Sequence, residues 1–227
     1  SGIDRIHINS YTTAWQTPQI VDRGVYAAGY PSLCYPGNGN ALLAFIQDDD
    51  AAMARVYCRT GYAHKIWDYG AGAGSWGDAK NWFPDELPGT GDTVVFDGSK
   101  SAASCVLASN VTIAGLKTVS SPGPFDFSSY TLTITGTTDF GGFSSITPGT
   151  GALELSGTSA QMLTGPTSGN LPDVLQSGSG TVTVEANNFT CASLTVNGGG
   201  TFDNSTNART VIINGNCTLT GSTLDAT

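Results

Sequence analysis

The densest group of reactive side chains lies between residues 76 and 97, where Asp85, Glu86, Asp92 and Asp97 follow Trp76, Trp82 and Phe83. Paired carboxylates beside aromatic rings are the chemistry of glycoside hydrolysis. One carboxyl protonates the leaving oxygen, the other attacks or stabilises, and a ring stacks on the sugar. The local sequence favours a plainer role. Asp92 and Asp97 bracket Thr93–Phe96 as turn residues, and the tryptophans suit the closing of an apolar end. No catalytic residue is assigned. Trp76, Trp82 and Phe83 remain candidates for a joint with a neighbouring chain or for sugar contact.

Other candidate chemistry is weaker. Asp48-Asp49-Asp50 could contribute oxygens to Ca²⁺, but no EF-hand or nonapeptide calcium repeat accompanies it, and a solvated turn fits better. His7 and His64 are isolated from each other and from any cysteine pair, so no zinc site is assembled. No G-x-S-x-G elbow positions a serine nucleophile. Neither metal nor cofactor is expected. Of the five cysteines, Cys34 and Cys58 flank a hairpin and are either bridged or two buried thiols. Cys105, Cys191 and Cys217 fall within strand patterns as small core residues. Four N-x-[ST] sequons, at Asn110, Asn188, Asn204 and Asn216, are candidate glycosylation sites.

Composition narrows what elements can carry these residues. Charged residues make up 12% of the 227, about half the globular norm of roughly 25%. Thr (29) and Ser (22) take their place, with 30 glycines. A helix-rich domain would need far more Glu, Lys and Arg. The nine Lys and Arg against 18 Asp and Glu give a net charge of −9, and after Lys100 only Lys117 and Arg209 are basic, so nucleic-acid binding is excluded. No apolar run reaches the roughly 18 residues of a membrane helix. An all-β protein of an extracellular or cell-surface setting is expected, a virion being the alternative. Ser1-Gly2 at the start and an alternating strand pattern at Leu224 suggest a piece of a longer polypeptide.

Residues 1–70 hold seven of the eight tyrosines and most of the basic groups. Short apolar runs between Pro36–Asn40 and Asp48–Asp50 predict a small antiparallel β region. Tyr30-Pro-Ser-Leu-Cys34, Asn40–Phe45 and Ala54–Arg59 resemble one blade of a sialidase-type propeller; a full propeller needs at least four, and no catalytic residue carries over. Residues 71–74, Ala-Gly-Ala-Gly, read as a linker. Beyond it, Trp76, Asn81, Trp82, Pro88, Gly91, Asp92, Val94 and Phe96 fall in the order W-x-x-x-x-N-W, then P-x-x-G-D-x-V-x-F. This resembles the opening of the repeats in large bacterial surface proteins and autotransporter-like passengers. The resemblance implies a right-handed parallel β-solenoid (β-helix) over about 74–227, an extracellular setting and no enzyme activity.

Period-two runs such as Leu132/Ile134, Leu153/Leu155, Val182/Val184 and Val211/Ile213 end in Gly, Asn or Asp. Segments also match at a distance. Asn110–Leu116 aligns with Asn188–Leu194, Phe125-Asp126 with Phe202-Asp203, and Thr131–Gly136 with Thr210–Gly215, giving an internal repeat of about 78 residues across a 75–227 domain. An antiparallel sandwich and a parallel β-solenoid both accommodate short strands. Matches in one direction, Thr and Asn between the apolar positions, and few charges to stack against each other favour the solenoid. The functional expectation is a structural module of a surface adhesin, fibre or appendage that associates with itself or with neighbouring domains. The alternatives are a glycan- or receptor-binding module and a polysaccharide-degrading enzyme.

Overall fold

The computed structural model describes five strands before residue 62 and then residues 64–226 continuously. The chain divides into two compact units, 1–63 and 64–227. In the first, His7–Ile8 pairs antiparallel with Gln19–Ile20, and Ala28–Cys34, Ala41–Asp48 and Ala54–Gly61 form an antiparallel meander. Cys34 and Cys58 lie on the two outer strands, opposite Leu42 and Ala44 of the middle one. Side chains of this unit, and with them the expected disulfide, lie outside the described residues; so do Asp49 and Asp50.

The second unit is a parallel β-solenoid of about six turns. Three sheets form its faces. A six-stranded sheet runs from Val111–Ile113 to Cys217–Leu219, and a nine-stranded sheet runs from Trp82–Phe83 to Thr223–Asp225. The third face joins Cys105–Val106, Phe125–Asp126 and Ile146–Thr147, and isolated bridges continue it to Phe189–Cys191 and Val211–Ile213. Every pairing among these is parallel except that of Trp82–Phe83 with His64–Trp67. That antiparallel strand ends the ladder at the N-terminal side.

Alternation decides which side chains enter the coil. Leu132 and Ile134, Leu153 and Leu155, and Val182 and Val184 are all at most 1% exposed, while the residues between them face outward. Stacked positions on the six-stranded sheet, Val111, Leu132, Leu153, Val174, Leu194 and Cys217, are separated by 21, 21, 21, 20 and 23 residues. The structural repeat is therefore a coil of about 21 residues, not 78. The 78-residue matches relate different faces: Ile113 lies on the six-stranded sheet and its counterpart Cys191 on the third, while Phe125 lies on the third and Phe202 on the nine-stranded one. They measure about three and two-thirds coils, a likeness between faces rather than between stacked positions.

The segment expected to link the units belongs inside the solenoid. His64–Trp67 pairs with Thr93–Asp97, so the coil begins before Gly70. A Cβ on Gly70 would lie 2.4 Å from the Lys80 carbonyl, and one on Gly74 2.6 Å from that of Ser104. These glycines permit close backbone approach rather than free movement.

The first coils are filled by aromatics. Trp67, Trp76, Trp82, Phe96, Phe125, Phe127, Phe140 and Phe143 are at most 2% exposed, with ring centroids 4.5 to 6.4 Å apart in mostly edge-on or tilted pairs. Lys65 stands opposite buried Val94, in the inward column, so its stem covers the apolar end. Its ammonium leaves toward Glu86 at 2.6 Å.

Corners need absent side chains. A Cβ on Gly178 would fall 2.1 Å from the Gly157 carbonyl oxygen. Gly178→Ala is expected to cost about 2 kcal/mol or more, since backbone rather than a flexible side chain must yield. Gly91→Ala, with nothing within 4 Å, should leave stability nearly unchanged. Urea denaturation of both variants checks the contrast.

Candidate functional site

The aromatic and acidic segment first considered for chemistry is scaffold. Trp76 and Trp82 are 2% and 0% exposed, and the Trp82 indole N–H donates to the Trp76 carbonyl at 2.9 Å. Neither ring offers a face to a sugar or to a neighbouring chain, which corrects that expectation. Both supply the apolar area that closes the first coil. Phe83, paired with Ile66, is 43% exposed.

The motif residues around them carry hydrogen bonds that turns would otherwise lack. Asn81, fully buried, accepts from the Ala71 N–H at 3.0 Å and donates to the carbonyls of Ala73 and Ser75 at 2.6 and 2.8 Å. Asp92 accepts from the Gly89 N–H at 2.8 Å, and Asp97 from the Ser99 N–H at 2.9 Å. Ser99 hydrogen bonding holds the Asp97 carboxyl below the usual range. Hydrogen bonding and charge attraction from Lys65 do the same for Glu86. Asp85 is exposed. Three of these four carboxylates are thus engaged in turns or in the Lys65 pair.

Cys105, Cys191 and Cys217 are free thiols. Burial drives the Cys105 thiol well up, and burial, with smaller effects of Asp173 and Cys217, pushes Cys191 up to about 11. Both are core-filling groups. Among the described residues no group of three His, Cys, Asp or Glu is placed to hold a metal.

The sequon asparagines lie at corners. Asn110 and Asn188 are exposed, and each accepts the N–H of the coil above, from Thr131 at 3.0 Å and Thr210 at 2.9 Å. Asn216 is exposed as well. Asn204 is half-buried and donates to the Arg209 carbonyl at 2.8 Å. Its turn is held by Asp203, which accepts from the N–H and hydroxyl of both Ser205 and Thr206 at 2.5 to 3.0 Å.

Two surfaces emerge that residue types alone did not single out. The first is a groove of about 470 Å³ on the outer face of the nine-stranded sheet, lined by Thr93, Ala114, Gly115, Leu116, Lys117, Thr137, Asp139 and Thr164. Gly115 leaves a notch: a side chain there would meet the Thr93 hydroxyl at 3.2 Å and the Thr137 carbonyl at 3.2 Å. The sheet is loosely joined at this point, with Leu116 opposite Thr138 the one register pair between the two strands. The Asp139 carboxylate bridges them instead, accepting from the Thr118 hydroxyl at 2.7 Å, the Thr118 N–H at 3.3 Å and the Gly141 N–H at 2.8 Å.

The second is the last coil, Val211–Ile213, Cys217–Leu219 and Thr223–Asp225, which no described strand covers. Leu219 is 47% exposed although Val196, its partner one coil below, is 0% exposed. Cys217 is likewise exposed above buried Leu194. The glycine notch and the uncovered coil depend on stacking register, so a signal for them exists only once the 21-residue period is known.

Two variants test the scaffold roles. Asn81→Ala should destabilise by about 2 kcal/mol or more, because a buried N–H and two carbonyls lose their partner together. Asp203, held low chiefly by the Thr206 hydroxyl, stabilises the fold above the ordinary carboxylate range, and that contribution is lost as pH falls through its lowered value. Asp203→Asn should therefore lower the melting temperature at neutral pH, with the gap from wild type narrowing below about pH 4. Compared with protein-family models, curated proteins and solved structures, the chain matches none.

Proposed function

We propose that this chain is an extracellular structural module, a building block of a surface adhesin, fibre or appendage, whose copies associate end to end through the solenoid. The reading is carried by the contrast between the two ends of the stack. One end is closed by tryptophans, an antiparallel strand and the Lys65 stem. At the other, side chains that belong to the inward columns, Cys217 and Leu219 above all, stand in solvent. Unpaired strand edges on all three faces offer backbone N–H and C=O groups to an added layer. A neighbour that covers them makes a heterologous contact, and such contacts repeat.

Composition supports the same reading. Solenoid strands carry Thr, Ser and Asn where most proteins carry charges, so one surface can approach another without stacking like charges. The exposed sequons at Asn110, Asn188 and Asn216 fit a secreted or surface setting, in which glycans would decorate corners.

Sedimentation velocity of the whole chain, from sub-micromolar to near-millimolar concentration, tests the association. Wild type should sediment progressively faster, and Leu219→Lys, which places a charge on the open coil, should remain a single slow species. A single monomeric species for wild type across the range would overturn the proposal.

A further inference from the structure

We infer that the groove around Gly115 is a binding site for a carboxylate-bearing oligosaccharide. Its polar groups are uncommitted. The hydroxyls of Thr93, Thr137 and Thr164 and the ammonium of Lys117 make no hydrogen bond or ion pair with other described residues. Lys117 and Asp139 follow the paired residues Leu116 and Thr138, which sets them on adjacent rungs about 4.8 Å apart. Asp139 nevertheless turns to Thr118 and Gly141, so the cation is left for a ligand. Among residues 101–208 it is the sole Lys or Arg, and it stands beside the notch that Gly115 opens.

The chemistry of the lining selects the ligand. An ammonium takes one carboxylate. Three hydroxyls both donate and accept, and each Asp139 oxygen retains a lone pair for a sugar hydroxyl. Asp139 beside Lys117 opposes a doubly charged phosphate but accepts a ligand that spreads a single carboxylate and many hydroxyls across the rungs. The groove lies in the size range of small-ligand sites, roughly 300 to 1,000 Å³. Open geometry and the net charge of −9 favour millimolar affinity, which suits repeated contacts along a polymer. This site is independent of end-to-end association, since it lies on a lateral face and not on the open coil.

Isothermal titration with a tetrasaccharide of alternating glucuronate and N-acetylglucosamine tests the site, with the same tetrasaccharide carboxyl-reduced to its neutral alcohol as the comparison. The acidic form should bind with a Kd in the millimolar range and the reduced form at least tenfold more weakly. Lys117→Gln should abolish that preference, and Thr137→Val should weaken both forms, each variant retaining the wild-type melting temperature because both side chains are exposed. Absence of binding at about 10 mM, equal binding of the two sugars, or unchanged binding by Lys117→Gln would overturn the assignment.

Discussion

Everything in the solenoid follows from laying one backbone turn on another at the spacing of a β-ladder. At about 4.8 Å between rungs, a side chain has room only if it points straight into the coil or straight out of it. Corners, where the chain changes face, have no such direction available. Glycines there face the carbonyl oxygens of the coil below, as Gly178 does over Gly157 and Gly200 over Gly180. Where no glycine serves, polar side chains replace missing rungs. Gln161 accepts from the Gly157 N–H and donates to the carbonyls of Ile134 and Gly136 while only 2% exposed, so an interior polar group is tolerated because its partners are fixed by stacking.

The contents of the coil change along its length. Aromatic rings crowd the first turns, where Phe125 meets Trp76, Phe96, Phe127, Phe140 and Phe143, and aliphatic columns of Leu, Ile and Val follow. Large rings bury the most area per residue, which suits the end where parallel pairing stops and Trp82–Phe83 turns antiparallel. The pattern of tryptophans and acids that looked suited to sugar chemistry is thus a product of closure. Its aromatic members fill the end, and three of its four carboxylates order the turns or pair with Lys65 around it.

Much of the architecture was legible in the amino-acid sequence, and the reasons are local. Period-two apolar runs such as Leu153/Leu155 reported which side chains enter the core, and the shortage of charge pointed to stacked strands. Coil length was misread. Asn110 and Asn188 match because both sit at corners and accept an N–H from the next coil, although their coils present them on different faces. The stacking period was present in Gly136, Gly157, Gly178, Gly198 and Gly221, which recur at 21, 21, 20 and 23 residues, but thirty glycines conceal such a series. The lateral groove was beyond reach of pattern reading. It is made by residues from 93 to 164 and by the side chain that Gly115 lacks.

A stack closed at one end and open at the other also has a mechanical direction. Rungs of the last coil have a neighbour on one side only, whereas the aromatic turns are held from both. Under tension, the molecule would peel from the Val211–Asp225 side, shedding one coil at a time toward the tryptophans. Each coil of about 21 residues would release roughly 70 Å of extended chain. Such stepwise lengthening would let a fibre absorb load by graded extension while its aromatic end stays shut.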